Sequence, residues 1–347
     1  MNDALARRIE RHAARTRAMF YPKSDLAADD VQLRALRDVL PMAVLDAAGA
    51  VTDGPWTPLS AQGTFHALFS NGHGNILKLN KCPGLLDNWQ LHADAIAARE
   101  LARAGLPFVP VLSVDCSRAV LATDVERLAQ AGGQALATFD HDDALMLPRL
   151  AQMGRFLRQV HAITGQGFGF VDVSAQVLHG AGPLRGVHTH WAGYLVQQLD
   201  AHLAIVQRHG DATAEECRDM RNLLQGGWPE PAQPRLLHGD CGSHNIFIDG
   251  DAVTAIDWED ALLGDPLFDL AFWASFHPQR RWPVMFEAYF GTAWAPDLAF
   301  WRYYLRIALS KSAHRRRFGY PDVAGRPRAS LRMQQALAAL SAMGAAS

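Results

Sequence analysis

Asp240, Asn245 and Asp257 place three oxygen-bearing side chains within one stretch, Leu236–Ala271, which reads LLHGDCGSHNIFIDGDAVTAIDWEDALLGDPLFDLA. The apolar runs Asn245–Ile248 and Ala252–Ile256 read as buried strands, and Asp249-Gly250 between them is a hairpin signal. An antiparallel hairpin brings its open ends together. Asn245 at the start of one strand and Asp257 at the end of the other then face one site, with Asp240 on the loop before them. Phosphoryl transfer uses this layout: a carboxylate orients the attacking hydroxyl, and oxygen ligands hold magnesium on the nucleotide phosphates. Asp240 is expected in the first role, Asn245 and Asp257 in the second.

The stretch resembles the aminoglycoside phosphotransferase and choline-kinase-like branch of the protein-kinase fold. That family's pattern is H-G-D-x-x-x-x-N, a hairpin, I-D-W/F-E and G-D-P-x-x-D-L-A. This chain supplies His238-Gly239-Asp240, Asn245, Asp257-Trp258-Glu259, Gly264-Asp265-Pro266 and Asp269-Leu270-Ala271. A lone HGD is weak, whereas the combination is specific. The GFG turn at Gly167-Phe168-Gly169 and the His190-Trp191 helix start with Tyr194 also resemble hygromycin-type members. The resemblance implies an α+β, bilobal protein-kinase-like fold, with a small antiparallel β-sheet N-lobe and a mainly helical C-lobe. The expected divisions are an N-terminal helical extension at 1–40, a nucleotide-binding N-lobe at 41–123 and a C-lobe at 124–347 carrying the catalytic loop and acceptor pocket. The implied cofactors are ATP (or GTP) and Mg2+. The implied partner is a small-molecule hydroxyl acceptor, an aminoglycoside-like compound first. A sugar, amino alcohol or other hydroxyl compound is the alternative. A non-catalytic nucleotide-binding module is a further reading, against which the intact Asp240, Asn245 and Asp257 speak.

Upstream elements must position these groups. Two helices, Ala4–Phe20 and Val31–Leu40, are expected to form a packing arm on the first lobe. Val44–Val51 and Trp56–Leu59 read as strands, followed by a turn through Ser60, Gly63 and Thr64, which the resemblance sets over the nucleotide phosphates. Lys78 is a single cation in the apolar strand Asn75–Asn80, and a buried ammonium needs a partner. The resemblance gives it the phosphates and an acid on the helix from Asp87 to Ala104. Asp94 stands where the family has glutamate, with Glu100 as the alternative about 9 Å further along the axis. Val109–Val114 and Ala119–Thr123 read as strands. A hinge at Ala122–Glu126 is expected to offer backbone groups to adenine, with Thr123 and Val125 among the contacts.

In the second half, Leu145, Leu150, Met153, Phe156, Leu157 and Val160 recur at helical spacing over 142–161, ending at a core or capping His161. Trp191–His209 and Ala214–Leu224 read as amphipathic helices. Asp265 is a natural helix cap, Asp269 a brace for the loop, and His238 a loop-positioning residue. Cys241 and His244 are candidates for acceptor contact. His188 and His190 lack a third ligand at metal spacing. Beyond position 280 the acids Glu287, Asp297 and Asp322 face Arg280, Arg281, Arg302, Arg306, Lys311, Arg315, Arg316, Arg317, Arg326, Arg328 and Arg332. The bland reading is a solvated arginine face. A polycationic acceptor calls for acids instead, which Asp172, Asp200, Glu259 and Asp260 could supply.

At 347 residues, 49% hydrophobic and with a net charge of −2, the chain is long enough for two lobes, and its near-neutral charge argues against a nucleic-acid partner as the main function. There is no Walker-type phosphate loop and no serine-hydrolase elbow. Cys82, Cys116, Cys217 and Cys241 lack CxxC spacing, no leader is visible and no apolar run spans a bilayer. A cytoplasmic protein, a monomer or homodimer without membrane partners, is expected.

Overall fold

The structure, a computed structural model, describes residues 3–21, 25–26, 28–49, 54–180, 182–321 and 328–344. Strands β1 (Thr57–Pro58), β2 (His66–Ser70), β3 (Asn75–Asn80), β4 (Val111–Asp115) and β5 (Val125–Ala129) form an antiparallel sheet in the order β1-β2-β3-β5-β4. Alternation in β2 and β3 buries Ala67, Phe69, Leu77 and Leu79 against Val44, Ala48, Trp56, Leu121 and Val125. The register pairs Lys78 with Leu68 on one side and Glu126 on the other.

Two strand readings are corrected here. Pro41–Ala48 is a helix: Pro41 sits at its first position, where its fixed φ suits a helix start, and Gly49 ends it. Val51 lies outside the described residues. Residues 119–123 are bends rather than a strand. The cause is Asp124, whose carboxylate takes Arg118 Nε and Nη2 (both 2.7 Å), Asn80 Nδ2 (2.8 Å) and Asn88 N (2.9 Å), fixing a compact turn before β5 begins. The supposed hinge Ala122–Glu126 therefore runs into the sheet. The chain leaves it after Ala129, and Gln134–Ala135 already pairs with the catalytic hairpin.

The large lobe holds that hairpin, Ile246–Asp249 with Ala252–Ala255, and a four-stranded sheet of Gly186–His188, Phe168–Val171, Leu262–Gly264 and Arg235–Leu237. Helices surround them. Asp142 caps the helix Asp143–Val160 through Ala144 N, and its expected stripe buries Leu150, Met153, Phe156, Leu157 and Val160, whereas Leu145 is exposed and Met146 beside it faces the core instead. Thr213 and Glu216 form a capping box on Ala214–Leu224. Trp191–His209 divides at Gln198 (φ +55°) into Trp191–Leu195 and Leu199–Arg208. The long helix Leu298–Phe318 starts at the Asp297 cap and stops at left-handed Gly319, and Ala329–Gly344 packs on it. None of the helices among the described residues is long and apolar enough to cross a membrane.

The N-terminal extension is more than an arm on the first lobe. Its helix Asp3–Arg17 sends Arg8 to Asp87 (2.8 Å) and His12 to Gln90 (3.2 Å). Phe20 stacks on Tyr194 of the large lobe at 5.1 Å, and Tyr194 Oη donates to Phe20 O (2.8 Å). Met19, Leu26, Leu33 and Leu36 form one cluster with Phe65 and Cys82 of the small lobe and Phe318 of the large. The extension thus glues both lobes.

His12 is 3% exposed, and burial together with Arg15 pushes its pKa down to about 4. The folded chain keeps this ring neutral, while an unfolded chain protonates it below its ordinary 6.5. Its contribution to stability is therefore full above pH 6.5 and is lost as pH falls toward 4, by roughly 3 kcal/mol. His12→Gln should shrink the acid-side loss of thermal midpoint between pH 6.5 and 4. Identical pH profiles for the variant and the parent would refute this.

Candidate active site

The loop after Arg235–Leu237 is held from below. Asp269, fully buried one turn into Leu267–Ala274, accepts from His238 N (2.7 Å) and Gly239 N (3.0 Å), and lies 3.2 Å from His161 Nε2. Gly239 has φ +79°, and a Cβ there would meet Asp260 O at 2.0 Å, so the position admits only glycine. His238 Nε2 donates to Ile256 O (2.9 Å), while Nδ1 accepts from Asp240 N (3.2 Å). Burial pushes its pKa down, so a neutral ring joins loop to hairpin. Asn245 Nδ2 donates to Asp240 O (2.9 Å), and Ile256 N donates to Asn245 O (2.9 Å). Asp240, Asn245 and Asp257 are thereby gathered at the open end of the hairpin. Asp257 itself sits at φ +63° between the strand Ala252–Ala255 and the turn Trp258–Asp260, a left-handed position that aspartate tolerates.

Lys78 reaches this hairpin from the small lobe. Its Nζ is 2.5 Å from Asp257 Oδ1 and 3.6 Å from each of Asp94, Glu126 and Glu259. Burial alone would lower the lysine's pKa, but the four carboxylates outweigh it and hold the ammonium well above its ordinary value. The acids shift upward too, which for them favours the neutral form. Burial pushes Asp94 up to about 6 and lifts Glu126 well above the usual carboxylate range. Asp94 also accepts from Trp258 N (2.5 Å), so the small-lobe helix Leu91–Arg103 grips the segment following Asp257. Glu100 turns away to Arg99 and Arg103.

The nucleotide-side expectations divide. The turn before β2 is ordered by Gln62, whose amide donates to Leu59 O (2.6 Å) and Leu68 O (3.0 Å). Gly63 O accepts from Lys81 Nζ (2.8 Å), Thr64 bonds to the Tyr320 hydroxyl of the other lobe, and Ser60 is exposed. Thr123 and Val125 do not offer themselves to adenine. Thr123 Oγ1 donates to Asn80 O (2.7 Å), and Val125 is buried in the small core, paired with Leu79 on one side and Asp115 on the other. Cys241 is fully buried and donates to Asp269 O (3.1 Å), which removes it from acceptor contact, whereas His244 is exposed. Among the described residues there is no group of three or more His, Cys, Asp or Glu that could hold a metal unaided. Asn245 and Asp257 are two hard oxygen donors, a set suited to magnesium shared with phosphates.

Three residues escaped the sequence reading. Glu126 was legible in principle: once β5 is placed, an acid lies directly opposite the strand lysine. Glu259 was read only as a pocket acid, yet it accepts from Asn88 Nδ2 (3.2 Å) beside Lys78. Lys311 carried no local signal, and its Nζ lies 3.4 Å from Asp240 Oδ1. The solvated arginine face is also corrected. Arg306 is fully buried, donating to Leu195 O (2.7 Å) and Gln197 O (2.5 Å) over the Phe20 ring. Arg302 binds Leu223, Gly226 and Gly227 carbonyls, Arg316 pairs with Asp211, and Arg281 binds Asp140 and Asp143.

Known proteins bear on this geometry. Among solved structures, a thermostable mutant of aminoglycoside phosphotransferase APH(4)-Ia in ternary complex with ADP and hygromycin B is similar over 86% of this chain and 98% of its own, with a TM-score of 0.58 at 21% identity. A choline/ethanolamine kinase family protein from Mesorhizobium loti is similar over 90% and 94%, with a TM-score of 0.53 at 20% identity. These likenesses show the fold, the expected bilobal α+β protein-kinase-like arrangement. In sequence, hygromycin-B 4-O-kinase from Escherichia coli is 27% identical over 210 residues, 58% of this chain. The match spans 57% of that relative's length. The model of the phosphotransferase enzyme family matches residues 80–304, from the end of β3 through the catalytic stretch into the long helix, and this chain belongs to that family.

Proposed function

We propose that this chain is an ATP- and magnesium-dependent phosphotransferase that moves the γ-phosphoryl group to a hydroxyl of a small molecule. The observation that carries the reading is the 2.5 Å approach of Lys78, from the small-lobe sheet, to Asp257 at the end of the large-lobe hairpin. It joins a phosphate-neutralising cation to the oxygen donors at one cleft. Bound nucleotide supplies the phosphoryl group, and magnesium neutralises its oxygens. Asn245 and Asp257 would hold that ion. Asp257 is 29% exposed at its side chain while Lys78 is 5%, so the carboxylate meets solvent where the lysine does not. Asp240 would accept a hydrogen bond from the acceptor hydroxyl and orient it in line. In a loose transition state this positioning outweighs proton removal. The stretch 130–133, where the chain passes from β5 to Gln134–Ala135, replaces Thr123 and Val125 as the source of backbone groups for adenine.

For the acceptor, an aminoglycoside-like compound is the first to test, because one relative is named a hygromycin-B kinase. A second reading, a sugar or other hydroxyl compound, is supported by Lys311 beside Asp240.

Asp240→Asn should lower acceptor-dependent ATP consumption by about 10²–10⁴-fold while leaving nucleotide affinity near that of the parent. Unimpaired turnover in that variant would sink the assignment. Asp257→Ala should behave differently, weakening binding of the magnesium–nucleotide complex by at least tenfold in calorimetry while magnesium-free nucleotide binding changes little. Equal losses with and without magnesium would count against a metal-holding Asp257.

A further inference from the structure

Lys311 projects from the middle of Leu298–Phe318 into a closed setting. Its Nζ lies 3.7 Å from the ring centroid of Tyr21, 4.5 Å from that of Phe272 and 5.9 Å from that of Phe276, with Asp240 Oδ1 at 3.4 Å. The side chains of Lys311 and Asp240 are 12% and 13% exposed. A second cation, the Arg332 guanidinium, lies 5.0 Å over the outer ring, Phe276, and is itself 4% exposed. A cavity lined by Tyr21, Gly239, Asp260, Phe272 and Lys311 opens beside the pair. Asp260, the acid on that lining, is 2% exposed.

Aromatic faces around a carboxylate form the kind of cage that captures a ligand's ammonium group. Here the chain fills the cage with its own. The rings and the Asp240 carboxylate surround this ammonium, so the positive charge is a fixed part of the acceptor side. Lys311 engages Asp240 through its Oδ1 oxygen. Any acceptor that offers a hydroxyl to Asp240 brings its neighbouring carbons close to Lys311. An ammonium on those carbons meets a like charge at short range and finds its cage occupied.

We propose that Lys311 is a specificity-determining residue: a built-in cation that excludes amino-bearing acceptors and selects hydroxyl compounds that are uncharged around the reacting hydroxyl, such as neutral sugars and polyols. This rests on the phosphotransfer reading of Asp240. It turns that reading from an aminoglycoside-like acceptor toward a neutral one, and it gives Lys311 a role separate from orienting the nucleophile.

Two measurements test it. In the first, a panel of neutral sugars and polyols, each beside its amino analogue, is assayed for ATP-dependent turnover. The parent should favour the neutral member by at least tenfold in kcat/KM. Lys311→Met should raise the amino-to-neutral ratio at least tenfold, and Lys311→Arg should leave it unchanged. A parent that prefers amino members, or a ratio that Lys311→Met does not move, overturns the proposal. The second measurement needs no acceptor. Tetramethylammonium should bind Lys311→Ala but not the parent in calorimetry, with Lys311→Ser as a second variant should the first fold poorly. Equal binding by the parent, or none by a folded variant, overturns it. A filled cage in the second test with no turnover of any compound in the first would remove the phosphotransfer reading instead.

Discussion

One buried ammonium fixes the relation between the two halves of this molecule. Lys78 cannot stay charged at 5% side-chain exposure without compensation, and the compensating carboxylates come from separate elements: Asp94 from a helix, Glu126 from the neighbouring strand, Asp257 and Glu259 from the far side of the cleft. Satisfying the lysine therefore requires the small sheet to meet the hairpin of the large lobe. The arrangement carries more acid than one cation can neutralise. Burial answers this by raising Asp94 and Glu126, which weakens the hold of each on its negative charge. Lys78 and Asp257 form the closest pair of the cluster, one facing inward and one at the solvent edge.

The catalytic stretch was legible because its parts are local. Asp240, Asn245 and Asp257 fall within one loop and one hairpin, and hydrogen bonds between neighbours in sequence fix their geometry. The bracing by Asp269 spans more chain, but it falls within the same stretch, Leu236–Ala271. What lay beyond the sequence arose from long-range competition. Ala119–Thr123 has the composition of a strand, but Arg118, Asn80 and Asn88 compete for Asp124 and fold it into bends. That carries the expected hinge into the sheet. Val44 and Leu45 look strand-like until Pro41 starts a helix beneath them. Lys311 meets Asp240 only because the helix Leu298–Phe318 packs on Leu267–Ala274, whose Asp269 holds the Asp240 loop, and neither residue's neighbours in sequence announce it.

Composition was also a poor guide to charge placement. The arginines after position 280 suggested a solvated face, yet several satisfy carbonyls or buried acids inside the large lobe. Arg302 and Arg306 cap the ends of neighbouring helical segments, and Arg317 donates to Leu26 O and Ala28 O of the N-terminal extension. The guanidinium suits this use, since its several fixed donors can bind more than one carbonyl at once. The basicity of this region is therefore largely a means of joining segments. The extension belongs to the same construction, since its Phe20 lies under Arg306 and its Tyr21 under Lys311.

The contact between Thr64 and Tyr320 links the small-lobe sheet to the end of the long helix. Thr64 belongs to the turn before β2, and Tyr320 follows directly on the helix that carries Lys311. Arg37 adds to the joint by donating to Phe318 O and Gly319 O at the same helix end. A turn tethered in this way cannot lift without either releasing that helix or drawing it along. A displacement on one side of the cleft is thereby passed mechanically to the other.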